Sequence, residues 1–312
     1  MPILFSNLTS DLRLAACLDQ SLLVTLTDQA SIRRLPGAVS YLGSVSGTGS
    51  DTSRLRFTGL GGADPFVATA AENTDVAETV PSHTQANITV VRAALRRDIS
   101  DLAITTGFAQ DLDPARLAGD MAASLESYFN SLIATQIAGA GTDVGLTGVD
   151  MSVDDFYDAV FFLEGGNPAG GAGAPGPYTA MLAPVQITDF QSSLRSESGA
   201  VSLSPATQEM LNIAGQGLVG EFMGVRLFKS TYVTSAGGNR HGAMWGAGAL
   251  GYKIAVVNPQ IGAGSAVVVR QDELVVEITR DASAATTEVV GNAYIGAGLL
   301  EQARIVGIVT DA

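Results

Sequence analysis

The sequence predicts an α+β fold, and three observations carry that expectation. Residues 113–138 keep apolar positions at steps of three, four and five, a helical period held for about seven turns. From residue 266 to the end the apolar runs are short and β-branched, as strands require. Between these regions helical and strand-like stretches interleave with no repeat of fixed period.

Taken in order, residues 1–37 read as an arm. Ser10 is placed to cap a helix, with Asp11 in its first turn and Leu14, Leu18 and Leu22 following, and Pro36-Gly37 closes the segment. Residues 38–85 are dominated by Gly, Ser, Thr and Asp. Within them Arg54-Leu55-Arg56-Phe57 alternates like one strand of a hairpin, and Glu72, Asp75 and Glu78 make the returning side acidic. The segment has too little apolar mass to bury itself, so it is expected to be extended and held by neighbours.

Residues 86–99 alternate as a strand, with Ile88, Val90, Ala94 and Leu95 among polar residues. Asp113 then suits the N-cap, and Pro114 the first turn, of the longest helix. Leu117, Met121, Leu125, Tyr128, Phe129, Leu132 and Ile137 carry its period, and Gly139 and Gly141 stop it. At 1.5 Å per residue it spans about 39 Å, the length of a strut. Three shorter helices are expected. The first runs 152–163 with Asp155 in a capping box, the second 184–194, and the third from Ser204-Pro205 to near Gly215. The glycine-rich stretch 165–176 is a loop. Strands are expected at 224–229, 267–269, 274–279, 289–293 and 304–309.

Composition excludes several functions. Charged residues are 15% of the chain, against about 25% in ordinary globular proteins, as suits a subunit that covers much of its surface with neighbours. The net charge is −14, and the short basic sites Arg33-Arg34 and Arg92, Arg96-Arg97 are too small for a phosphate footprint. Specific nucleic-acid binding is therefore not expected, and an acidic surface would keep packaged DNA from sticking. Cys17 is the single cysteine, which rules out an internal disulfide and a cysteine zinc site. No basic-then-apolar leader and no apolar run of membrane length occur, so a cytoplasmic origin and no membrane partner are expected.

Candidate chemical motifs have plainer explanations. Gly246-Ala-Gly248-Ala-Leu-Gly251 matches a dinucleotide fingerprint with Asp272 downstream, but β-prone residues follow it, where a phosphate site needs a helix. Tight packing of small residues explains it better. His83 and His241 are the only histidines, and neither belongs to a nucleophile-and-base pattern; both are expected at the surface. Asp143, Asp150, Asp154 and Asp155 lack calcium-loop spacing, and the last two suit a helix start. Catalytic, cofactor-binding and metal residues are therefore all expected to be absent.

One stretch goes further. Ala71-Glu-Asn-Thr-Asp-Val-Ala-Glu-Thr-Val-Pro81 leads to Val90-Val91-Arg92 and then Asp98-Ile99-Ser100-Asp101. It resembles the end of the extended loop, the strand after it, and the turn before the spine helix in tailed-bacteriophage major capsid proteins of the Hong Kong 97 type. Residues 113–138 correspond to the spine helix, Gly217 to Gly224-Val225 to the start of an axial-domain strand, and Arg304–Val309 to the terminal strand. The resemblance covers nearly the whole chain through the order of its elements.

The resemblance implies an N-terminal arm at 1–37, an extended β-hairpin loop at 38–85, a peripheral domain at 86–151 and 267–300, and an axial domain at 152–266 and 301–312. It implies a non-enzymatic shell subunit without cofactors, assembled into hexamers and pentamers around phage DNA, in the virion and in host cytoplasm during assembly. Arg54, Arg56, Glu72, Asp75 and Glu78 are then expected at subunit contacts. Since the arm begins almost at Met1, a scaffolding protein is expected to be separate or absent; a portal and possibly a decoration protein are further implied partners. Residues 38–85 hold no lysine, and Lys229 and Lys253 are both expected in the axial domain, which argues against lysine crosslinks from the loop. An encapsulin-type nanocompartment shell is the rival within the same fold, and a nucleotide-binding enzyme the rival outside it.

Overall fold

The structure is a computed structural model that describes residues 31–58, 72, 75, 83–102, 114–166, 173–196, 204–205, 218–233, 235–256, 267–271 and 274–311. The helix expected from Ser10, Cys17, the N-cap Asp113 and Glu78 lie outside these residues.

In chain order the strands are β1 (Ser40–Ser44), β2 (Thr52–Thr58), β3 (His83–Thr89), β4 (Val91–Ser100), β5 (Asp143–Val144), β6 (Tyr178–Leu182), β7 (Ser204–Pro205), β8 (Leu218–Phe222), β9 (Val225–Lys229), β10 (Ser235–Ala236), β11 (Asn239–Trp245), β12 (Leu250–Ile254), β13 (Val267–Gln271), β14 (Leu274–Asp281), β15 (Thr286–Leu299) and β16 (Ile305–Asp311). The α-helices are α1 (Pro114–Ile137), α2 (Val153–Phe161) and α3 (Pro184–Ser196).

The strands form three sheets. The first has order β1-β12-β15-β14-β13, with β4 also paired to β15; the second has order β5-β16-β11-β6-β9-β8-β7, with β10 on β11; β2 and β3 form a hairpin of their own. The 14-residue β15 is the spine of the first sheet, because one of its edges serves β14 and then β12 in succession while the other carries β4.

Helix α1 is the expected strut. Met121, Leu125, Phe129, Ile133 and Ile137 recur at i+4 and are all buried. The lower part of this row joins a core with Trp245, Leu250, Ile295 and Ile305, so the helix binds the two large sheets together. The adjacent row carries two buried polar groups, Glu126 and Asn130. They receive the chain entering from the arm: Ile32 donates its N–H to Asn130 Oδ1, and the Arg33 guanidinium donates to Glu126 Oε1 at 2.6 and 3.2 Å. Arg33 also stands over the Phe129 ring, 5.4 Å from its centroid.

The second core lies under α2 and α3. Ser152 caps α2, with the reciprocal capping box to Asp155 formed as the spacing predicts. Phe156 stacks on Phe190 at 5.0 Å, and both meet Phe222 edge-on. Gln186 is buried and satisfied, accepting from Ala183 N and donating to Ile308 O.

Several expectations need correction. The strand expected over 86–99 is two strands, because Val90 donates its N–H to Asp51 at the hairpin base. Residues 40–44, expected in the loop, pair with β12 in the first sheet. Strand β12, expected with the axial residues, pairs with β15 in that same sheet, so Lys253 belongs there too. Residues 143–144, expected with the spine helix, pair with Gly307-Ile308 of the second sheet. Ser204-Pro205, expected to open a helix, pairs with Gly220 and Glu221; a residue before proline favours the extended conformation that strand pairing uses. The rest of that expected helix lies outside the described residues.

Candidate subunit interface

The hairpin β2–β3 belongs to neither large sheet. Its register sets Thr52 opposite Thr89, Arg54 opposite Asn87 and Arg56 opposite Gln85. On one side Ala86 and Ile88 are buried against Leu300, with Leu42 and Leu55 packed beside them. This apolar side seats the hairpin on the first sheet. Gly296 of β15 makes the close approach possible, since a Cβ there would collide with the carbonyl of Thr89. The other side is polar. Arg54, Gln85 and Asn87 are exposed, and Arg54 makes no hydrogen bond or ion pair among the described residues.

The base of the hairpin is tied by polar contacts. Lys253 Nζ donates to Ser53 Oγ at 2.8 Å, and Val45 donates its N–H to Ile254 O. One of the two lysines therefore touches the loop, contrary to the sequence expectation that both lie apart from it. The reason is the pairing of β12 with β1, which continues into the loop. Lys229 lies on the second sheet, at the exposed end of β9.

Of the acids expected at contacts, Glu72 and Asp75 are exposed, and neither pairs with Arg54 among the described residues. The first sheet carries its own surface ion pairs. Arg96 bridges Asp98 and Glu288 at 2.7 and 2.6 Å, and Arg280 holds Asp101 at 2.6 Å. The hydrogen bond from Arg280 holds the Asp101 carboxyl below its usual range, and the bond that Arg96 donates to Asp98 raises the Arg96 guanidinium further. Asp189, on α3, is pushed up by burial, with Asp150 and Asp311 adding repulsion.

Exposed apolar residues were not anticipated. Tyr157 and Phe161 share the outer face of α2, Met223 occupies the β8–β9 turn, and Val185 and Tyr232 flank the far end of the second sheet. The capping box identified the start of α2 but gave no sign that its outer face is aromatic.

Among the described residues no chemical site is assembled. Gly246–Gly251 forms the turn from β11 to β12, with positive φ at Gly248 and no helix after it. No group of three metal-ligating side chains occurs among the described residues. A cavity of about 150 Å³ lies between α1 and the first sheet, lined by Ala93, Leu95, Met121, Leu125, Tyr128 and Gly291. It is apolar and smaller than the roughly 300 Å³ at which small-molecule sites begin. No helix among the described residues is long and apolar enough to cross a membrane.

No family model matches the sequence, and no curated protein matches it. Solved structures do. A chain from Mycobacterium phage Che8 aligns at TM-score 0.56 and 13% identity, over 90% of this chain and 91% of that one. The capsid of Ralstonia phage GP4 aligns at 0.54 and 11% identity, over 88% and 86%. The holo-SrpI encapsulin of Synechococcus elongatus PCC 7942 aligns at 0.54 and 12% identity, over 88% and 84%. The three sheets, the strut helix and these alignments together establish that the chain has the Hong Kong 97 type fold of tailed-phage major capsid proteins.

Proposed function

We propose that this chain is the major capsid protein of a tailed bacteriophage, a structural subunit that assembles into hexamers and pentamers enclosing genomic DNA. The observation that carries the reading is the near full-length match to phage capsids, joined to a hairpin whose outer side is polar and exposes Arg54, which makes no ion pair or hydrogen bond among the described residues. In this reading Arg54 and Arg56 meet a neighbour's acids, and Glu72, Asp75 and Glu78 lie at the same contacts. A closed shell repeats such contacts around every capsomer, so pairs worth about 0–1 kcal/mol each become collectively sufficient. A separate scaffolding protein, a portal and a decoration protein are the proposed further partners, with assembly in host cytoplasm and residence in the virion. The net charge of −14 supports an inner surface that does not retain DNA.

The encapsulin match at comparable TM-score favours one second reading, a nanocompartment shell around a protein cargo. The contents of purified particles separate the two. Nuclease-protected DNA of uniform length supports the capsid, and a co-purifying enzyme with little nucleic acid supports the compartment. Light scattering at assembly concentration, with any scaffold present, tests both: a monodisperse monomer overturns either shell.

A further inference from the structure

The second sheet carries two unlike patches at its two ends. Strands β6 and β9 run parallel, Tyr178 beside Val225 at one end and Leu182 beside Lys229 at the other. Four residue steps at about 3.3 Å each set the ends some 13 Å apart.

At the Val225 end stands the outer face of α2. Tyr157 packs edge-on against Phe222, whose register partner is Val225. Tyr157 and Phe161 are four residues apart on that face and are 42% and 61% exposed. Met223, in the adjoining turn, is 49% exposed. Asp154 and Asp158 lie on the same face, exposed, and neither side chain has an ion-pair or hydrogen-bond partner among the described residues. Glu164 adds a third exposed acid close to Tyr178.

At the Lys229 end the chemistry is reversed. Lys229 is exposed and makes no ion pair or side-chain hydrogen bond among the described residues. Ser230 donates its N–H to Leu182 O, which brings the 229–232 segment against the start of α3. Val185, near the start of α3, and Tyr232, three residues after Lys229, are 40% and 43% exposed.

We propose that these two patches are the halves of one heterologous contact between copies of this chain. The aromatic and acidic face of α2 receives the Val185, Lys229 and Tyr232 end of the next copy, with Lys229 placed against Asp158 or Asp154. The occupant is a second copy because the same chain supplies both the free carboxylates and the free ammonium, each framed by exposed apolar groups. Patches at opposite ends of one sheet cannot satisfy each other within a subunit, and a head-to-tail contact of this kind forms a ring when the rotation between copies closes, as a capsomer requires. The inference rests on the shell reading and names the surface that would line the capsomer.

Charge exchange tests it. Lys229→Glu and the double variant Asp154→Lys/Asp158→Lys are each expected to raise the subunit concentration needed for assembly by about tenfold or more, since facing like charges oppose association. Combining all three substitutions is expected to return that concentration to within about threefold of the parent, because the pair is restored with its polarity swapped. Circular dichroism of the unassembled subunits checks that each variant is folded; the changed positions are exposed, so unchanged spectra are expected. If the parent forms shells and the variants assemble at its concentration, or the combined variant is no better than the single-patch ones, this contact is overturned while the shell reading stands. If the folded parent never assembles, the shell reading fails first.

Discussion

Changing Glu126 to Ala tests how the arm is fastened to the spine helix. The Arg33 and Glu126 side chains are 14% and 2% exposed, and two guanidinium nitrogens reach one carboxylate oxygen. Removing one partner of a buried pair costs about 3–5 kcal/mol, chiefly because the surviving charge keeps its desolvation penalty. The partial exposure of Arg33 lets water recover some of this, so the lower end, about 3 kcal/mol, is the expected loss. In a chain of this size each kcal/mol moves the thermal midpoint by about 2 °C, giving a fall of about 6 °C. The assay is calorimetry of the unassembled subunit at neutral pH. The double variant Arg33→Met/Glu126→Met replaces the pair with apolar groups and is expected to lie within about 2 °C of the parent. If Glu126→Ala leaves the midpoint unmoved, or the double variant falls as far as the single one, the pair does not hold the arm.

Three further outcomes are expected. Trp245→Phe removes the 2.6 Å bond from Nε1 to Ala38 O in a fully buried site, and a loss of about 2–4 kcal/mol in denaturant titration combines the unpaired carbonyl with the missing ring volume. Asp189→Asn is expected to stabilise the subunit at pH 7. Burial and the neighbouring acids raise its carboxyl in the folded state, so the wild-type penalty is complete above that raised value and vanishes below the ordinary 3.8; a gain that grows on acidification contradicts the assignment. Boiled particles are expected to run as a single band near 32.0 kDa on a denaturing gel, whereas a ladder of multimers means that Lys229 or the loop-bound Lys253 is crosslinked.

What the sequence made legible follows from how local each signal is. The spine helix needs only its own period and Pro114, and α2 needs only Ser152 and Asp155 three residues apart. The C-terminal strands are β-branched and stand out by composition. Strand β11 does not: its last four residues are all buried, so no alternation marks it, and its partners β6 and β16 are far away in sequence. The same distance hid the sheet membership of β12, because a strand's pattern gives its faces but not its neighbours. Arg33 and Glu126 are 93 residues apart, and a lone acid among Met121, Leu125 and Phe129 was the one trace of their contact. Of the candidate contact residues, Arg54 was legible as an outward position of an alternating strand. The outward aromatics of α2 were not, since Phe161 and the buried Phe156 are the same residue in the same helix.

Electron microscopy of the purified protein, assembled with any scaffold it requires, tests the central claim most directly. Closed shells of uniform diameter are expected, built from hexamers and pentamers, with the β2–β3 hairpin of each subunit lying over its neighbour. A folded protein that stays monomeric under those conditions, or forms only open aggregates without capsomers, contradicts that claim.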